Sequence, residues 1–326
     1  MNLIFFDLEG PLSPQDNAYE LMKLFPQGGP IFEVISRYDD LLALENREDY
    51  EPGDTLALIV PFLICHGVSE GDIASLAQRA TLVNGSAELI ASLSSSGWKV
   101  FCISTSYEQY ASRIAQRVGI SPENLACTRF PLDRYLSLAR KEDLALVEEI
   151  EHEILKMKPG DDENMKMRLD RFFWEEVPKT NLGLALREVK PVGGRRKVEA
   201  LKGFAQAYSQ SMEQVVVVGD SITDARMLQA VDAAGGLAIA FNANEYALPY
   251  ATMGLASTNL ADLRLALEAW RKGGREAVGK AVGERTGGAA DRENFHWLAG
   301  GGDLEEPLKI HNRIRRLVRE EAGKLG

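Results

Sequence analysis

Cysteine and histidine are scarce: 3 and 4 in 326 residues. Cys65, Cys102 and Cys127 are widely spaced, which excludes a disulfide framework and a cysteine-built zinc site. His66, His152, His296 and His311 are too scattered for a histidine metal centre. Basic charge is also short, 37 Lys and Arg against 48 Asp and Glu, for a net charge of −11. A general nucleic-acid binder would carry a basic face, so no nucleic acid is expected as partner. No window reaches the ~18 uninterrupted apolar residues of a membrane span. The amino terminus runs straight into a strand pattern with no leader, and a reduced, cytoplasmic setting is the expectation.

What the chain does have is apolar runs that end in acid. Leu3-Ile4-Phe5-Phe6 precedes Asp7-Leu8-Glu9-Gly10, and Val215-Val216-Val217-Val218-Gly219 precedes Asp220-Ser221-Ile222-Thr223-Asp224. Such runs read as buried parallel strands, and ligands in open α/β sheets bind beyond the carboxyl ends of strands. Two acidic tips together form an oxygen-ligand set for a hard divalent cation, most simply Mg²⁺. A third run, Val100-Phe101-Cys102-Ile103, ends in Ser104-Thr105-Ser106, whose hydroxyls and N–H groups suit phosphate oxygens. Lys197 follows the turn Gly193-Gly194 and opens a helical pattern, where it can set a point charge beside an anion. Lys190 is the competing lysine.

Carboxylate, hydroxyl, lysine and acidic pair occur in the order of the motifs of the haloacid dehalogenase superfamily, which the chain resembles. The stretch Leu82 to Tyr107 and the segment Gly236 to Asn242 are similar to its phosphoserine-phosphatase branch. Over its whole length the chain resembles a group of archaeal proteins of this superfamily, some of them linked to energy-converting hydrogenase. The resemblance implies a Mg²⁺-dependent phosphatase that hydrolyses a small phosphorylated metabolite through an aspartyl-phosphate. Asp7 would be the nucleophile. Mg²⁺ would be held by Asp7, the Glu9 carbonyl and Asp220, with Asp224 in support directly or through water. Ser104 and Lys197 would hold phosphoryl oxygens. Glu9 stands where the superfamily's phosphatases usually have a second Asp, and would act as acid and base; Pro11 replaces the usual small hydroxylic residue. Asp16 falls near a position that the phosphoserine branch uses for a substrate amino group. The alternatives are a phosphotransferase and a non-catalytic accessory subunit of a hydrogenase-type complex.

The expected fold is α/β: a Rossmann-like parallel sheet formed by 1–14, 80–132 and 186–270. Residues 15–79 read as a helical cap and 133–185 as a second helical insertion, in which Phe172-Phe173-Trp174 is core packing. Residues 271–326 read as a mobile, Gly-rich connector to about 304 and a final helix. On that helix Leu308, Ile310, Ile314, Leu317 and Val318 can line the inner side, with Arg313, Arg315, Arg316 and Arg319 around the rest. Its expected place is against its own domain, with a protein partner or a membrane surface as the other occupant.

Overall fold

The structure, a computed structural model, describes residues 1–45, 47–284 and 294–319. Seven strands form one sheet: β1 (Asn2–Phe6), β2 (Trp98–Tyr107), β3 (Leu125–Thr128), β4 (Val215–Gly219), β5 (Leu237–Phe241), β6 (Met253–Ala256) and β7 (Asn294–Trp297). Their order is β3-β2-β1-β4-β5-β6-β7. Every pair is parallel except β6 with β7. The apolar strand runs have a direct physical cause, because helices cover both faces of the sheet. Phe5, Phe101, Val215 and Val217 pack with Leu201, Leu228 and Val231 on one side; Ile4, Phe6, Val216 and Val218 face the other. All of these are fully buried, and each such side chain contributes about 1.5–3 kcal/mol over leaving it exposed.

Chain order places β1 in the middle, with β2 on one side and β4 on the other. The strand order reverses there, which opens a crevice at the carboxyl ends. Phe6 pairs with Cys102 and with Val218, so Asp7, Ser104 within the longer β2, and Asp220, one or two residues further along, emerge together.

Residues 15–79 are helical, with helices at Asn17–Met22, Gly28–Leu44, Thr55–Leu58, Val60–Cys65 and Glu70–Arg79. Helices at Lys141–Ile154 and Asp162–Arg171, and a π-helical turn at Phe172–Glu176, pack on that layer. Tyr38 hydroxyl donates to Asp170 at 2.6 Å and accepts from Trp174 Nε1 at 2.7 Å. Phe172 and Phe173 are fully buried and Trp174 partly so. Glu51 accepts from the Arg195 backbone N–H at 2.9 Å, and Asp54 pairs with Arg196. These two pairs fasten the base of the first helical layer to the sheet domain.

Two features differ from the sequence reading. Of the expected connector 271–304, the described residues 271–284 and 294–304 are not bare, and 285–293 lie outside the described residues. A helix continues to Gly283 across a break at Gly273 and Gly274, and β7 adds an antiparallel edge. Four residues pairing with a partner some forty positions away leave no local signal. The last helix, Glu305–Arg319, also presents a different face. The buried positions are His311, Arg315 and Arg319, while Leu317 is 66% exposed. Spacing of four residues stacks those three side chains in one row; Arg315 and Arg319 meet carboxylate and backbone oxygens, and His311 meets a backbone N–H.

His311 holds this helix to the sheet. Its Nδ1 accepts the Ala243 N–H at 2.9 Å, and its Nε2 is buried beside β6 and the His296 ring without a hydrogen bond among the described residues. Burial first, then His296 and Arg315, push its pKa down to about 3. The unfolded chain therefore binds the extra proton between pH 6.5 and 3, and stability conferred by this group falls as pH drops through that window. His311→Asn keeps an acceptor but does not titrate there. Denaturant unfolding at pH 7.5 and 5 should show a smaller acid loss in the variant than in wild type. Equal losses would mean that His311 is not the titrating anchor.

Candidate active site

Asp7 lies at the tip of β1, where its N–H donates to Val218 O at 2.9 Å and its side chain accepts the Leu8 N–H at 2.7 Å. Asp220 follows β4 directly. One carboxylate oxygen from each of Asp7, Asp220 and Asp224 lies within 4.8 Å of the others, and all three residues are buried. Gly10 makes this approach possible. Its φ of +95° is open to glycine, and a Cβ there would fall on the Asp220 carboxylate.

Lys197 is fully buried on the first turn of its helix. Its Nζ reaches Asp7 Oδ1 and Asp224 Oδ1, each at 2.7 Å. Burial opposes its charge, but Asp224 and Asp7 outweigh it and raise the pKa, so the ammonium is held. Lys190 is exposed. Of the two lysines, Lys197 is the one that stands against Asp7. Asp224 is fully engaged: Oδ1 with Lys197, Oδ2 with the N–H groups of Asp220 and Ser221 at 3.0 and 3.3 Å. It shapes the loop that presents Asp220.

Glu9 sits beyond Asp7, and its two oxygens have separate partners. Oε1 accepts from the Ser106 hydroxyl, and Oε2 from the Asn17 N–H at 3.3 Å. Burial and then Asp16 push its pKa up to about 7 against the pull of Ser106 and Arg319. Ser104 is buried, its hydroxyl accepting the Ser106 N–H at 3.0 Å. Thr105, its neighbour, lines the cavity. Asp16 lines it too, and caps the helix Asn17–Met22 by accepting the Tyr19 N–H at 2.9 Å.

The cavity holds about 110 Å³ and lies between the strand tips and the first helical layer. Phe32, Ser36, Asp39 and Asp40 of the helix Gly28–Leu44 form its far wall. Two further residues were missed by sequence reasoning: Arg315 and Arg319. Both guanidinium groups pair with Asp220 Oδ2, Arg319 at 2.9 Å. The signal that could have found them is the row His311, Arg315, Arg319 on a helix whose apolar stripe is weak, set against a predicted site with more carboxylates than cations.

Three carboxylates (Asp7, Asp220, Asp224) thus face three cations (Lys197, Arg315, Arg319). Burial, Asp224 and Asp220 all raise the pKa of Asp7 against the pull of Lys197. Asp220 Oδ1 is buried and has no hydrogen-bond partner among the described residues. An orphaned carboxylate oxygen beside a second, crowded carboxylate fits a hard divalent cation held by oxygen. The donors with room for it are Asp7 and Asp220.

The mostly parallel α/β fold is shared with solved structures. Two structures of phosphoserine phosphatase, one a phospho-aspartyl intermediate analogue and one substrate-bound, each superpose with a TM-score of 0.52 at 18% identity. Each match covers 80% of this chain and 96% of the phosphatase. A far fuller match is the structure of gene product AF1437 from Archaeoglobus fulgidus, with a TM-score of 0.88 at 30% identity over 100% of this chain and 99% of that one. The chain belongs to the family of that archaeal protein. No protein-family model matches the sequence, and no curated protein does. Among the described residues no single helix is long and apolar enough to cross a membrane.

Proposed function

We propose that the chain is a Mg²⁺-dependent phosphatase that hydrolyses a small phosphorylated metabolite through an aspartyl-phosphate. The observation that carries this reading is the placement of Asp7 and Asp220 at the ends of adjacent parallel strands, with Lys197 joining Asp7 to Asp224. Phosphoryl transfer depends mostly on positioning and charge neutralisation, and this site supplies both.

Asp7 would attack phosphorus while the bond to the leaving oxygen breaks. Lys197 would hold an equatorial oxygen, with the Ser104–Ser106 segment beside it. Glu9, with its pKa raised to about 7, would give its proton to the departing alkoxide. As a carboxylate it would then take a proton from the water that attacks the aspartyl-phosphate and releases Asp7 with inorganic phosphate. Asp7, Asp220 and the Glu9 carbonyl would hold Mg²⁺, which when bound supplies positive charge against the phosphoryl oxygens. Lys197, Arg315 and Arg319 offset Asp7, Asp220 and Asp224, while Glu9, Asp16, Asp39 and Asp40 add further acid around the cavity, a surround in which a phosphate would enter with a divalent cation. The small cavity under the helical layer favours a metabolite over a protein substrate, and makes that layer a cap.

Two measurements test this function. Wild type should hydrolyse p-nitrophenyl phosphate or members of a phosphometabolite panel in Mg²⁺, and EDTA should suppress that turnover. Asp220→Asn should bind Mg²⁺ at least about tenfold more weakly by calorimetry, with weakening on the order of that seen for losing a metal-site group. Undiminished binding would remove Asp220 from the metal site. Asn suits this test better than Ala because it keeps an oxygen that can accept from the two buried guanidinium groups. Either substitution removes their counter-charge, a loss of about 3–5 kcal/mol for a buried pair, so the comparison is made on folded protein. A wild type inert toward every ester would favour the accessory role in a hydrogenase-type complex, and transfer to an alcohol acceptor would favour the phosphotransferase.

A further inference from the structure

Three hydroxyl residues follow Ile103, and the fold separates them. The register of β2 against β3 shifts between Ile103 and Tyr107, an irregularity of the kind that re-aims side chains beside functional sites. Thr105 lines the cavity. Ser104 accepts the Ser106 N–H at 3.0 Å and so shapes the segment. Ser106 is fully buried, stands outside the cavity lining and donates its hydroxyl to Glu9 Oε1. Glu9 itself lines the cavity. Ser106 therefore meets this acid from behind, and is not placed to touch a phosphoryl oxygen.

The other oxygen of Glu9 has its own support. Oε2 accepts the Asn17 N–H, 3.3 Å away, from the start of the first cap helix. Two donors on two oxygens fix both the direction and the plane of the carboxylate. Such fixing matters more for Glu than for Asp, because the extra methylene adds a rotatable bond. A misplacement of about 1 Å can cost ~100-fold in rate. A hydroxyl can donate to a carboxylate and accept from a protonated acid, so the Ser106 contact holds Glu9 in either state.

Resting on the phosphatase reading above, we infer that Ser106 is a positioning residue, which aims the Glu9 carboxyl at the leaving oxygen and then at the attacking water. The hydroxyl acts through Glu9 and adds nothing to the grip on the phosphoryl group. The Asn17 N–H is the second support of the same side chain.

A double-mutant cycle tests this role. Ser106→Ala removes the hydroxyl and keeps the backbone N–H bond to Ser104. On an unactivated ester it should lower kcat about tenfold or more. KM, and calorimetric binding of inorganic phosphate in Mg²⁺ buffer, should stay within about threefold of wild type. In the Glu9→Gln background no acid is left to position, so Ser106→Ala should cost less than about threefold there, the non-additive loss of coupled residues. Ser106→Cys keeps the shape but donates weakly. It should also lower kcat, and it decides the matter if the Ala variant does not fold. A native kcat in a folded Ser106 variant, a loss carried by KM or phosphate binding, or an equal loss in the Glu9→Gln background overturns the inference and leaves the phosphatase reading standing. A wild type without turnover on any ester removes the phosphatase reading, and the inference with it.

Discussion

Asp7→Asn should lower phosphomonoester turnover by about 10⁴-fold or more, the scale on which loss of a covalent nucleophile is felt. The amide keeps the size of the carboxylate at the tip of β1 but cannot form the acyl-phosphate. Folding should survive. Lys197 retains Asp224 at 2.7 Å, and the Asp7 N–H bond to Val218 O belongs to the backbone. Loss of Asp7 also relieves carboxylate crowding, since burial, Asp224 and Asp220 all oppose its ionisation. Thermal unfolding of the variant should therefore occur near or above that of wild type. Single-turnover kinetics and mass spectrometry of acid-quenched enzyme are the measurements. Wild type should show phosphate on Asp7 and the variant none. A folded Asp7→Asn protein with near-native turnover would rule out the covalent mechanism.

Glu9→Gln should reduce turnover by about 10²–10⁴ while phosphoenzyme accumulates, because hydrolysis of the aspartyl-phosphate needs a base and its formation from an activated ester does not need an acid. On the phosphatase reading Glu9 would serve both roles. It faces Ser106 and the Asn17 N–H with separate oxygens, and burial followed by Asp16 brings its pKa to about 7. For a poor leaving group the protonated acid is required, so kcat should fall as pH rises above about 7, and Glu9→Gln should lose that limb. The same shift has a stability counterpart. The folded state holds the proton between the usual carboxyl range and pH 7 while the unfolded chain has lost it, so stability falls as pH rises through that window and the Gln variant is spared. Glu9→Asp keeps a titrating acid and should retain more turnover than Glu9→Gln. Equal rates for Glu9→Gln and wild type on an unactivated ester would remove Glu9 from the chemistry.

Local patterns in the sequence were enough for the strand tips and the parallel sheet. Leu3 to Phe6 and Val215 to Val218 are apolar at every position because both faces of the sheet are covered, and the acids that follow had to emerge at the carboxyl edge. Asp7 and Asp220 were legible for that reason, and Lys197 from the Gly193-Gly194 turn that precedes its helix. The helical character of 15–79 was legible as well, through periodicity and the breaks at Pro and Gly. Asp224 was legible as a member of the site, but its work was not. Its oxygens are taken by Lys197 and by the N–H groups of Asp220 and Ser221, a closure that depends on the loop's path.

Tertiary structure alone decided the rest. A four-residue strand such as β7 is stabilised by a partner strand distant in sequence, so nothing within Asn294 to Trp297 specifies it. The final helix shows the same physics more strongly. Judged by itself, its apolar residues should face inward and its arginines outward, since a buried guanidinium without a counter-charge is prohibitive. The sheet supplies that counter-charge at Asp220, almost a hundred residues earlier, and so turns His311, Arg315 and Arg319 inward while Leu317 faces water. Burial of charge depends on a long-range partner, and a partner of that kind exists only once the chain has folded.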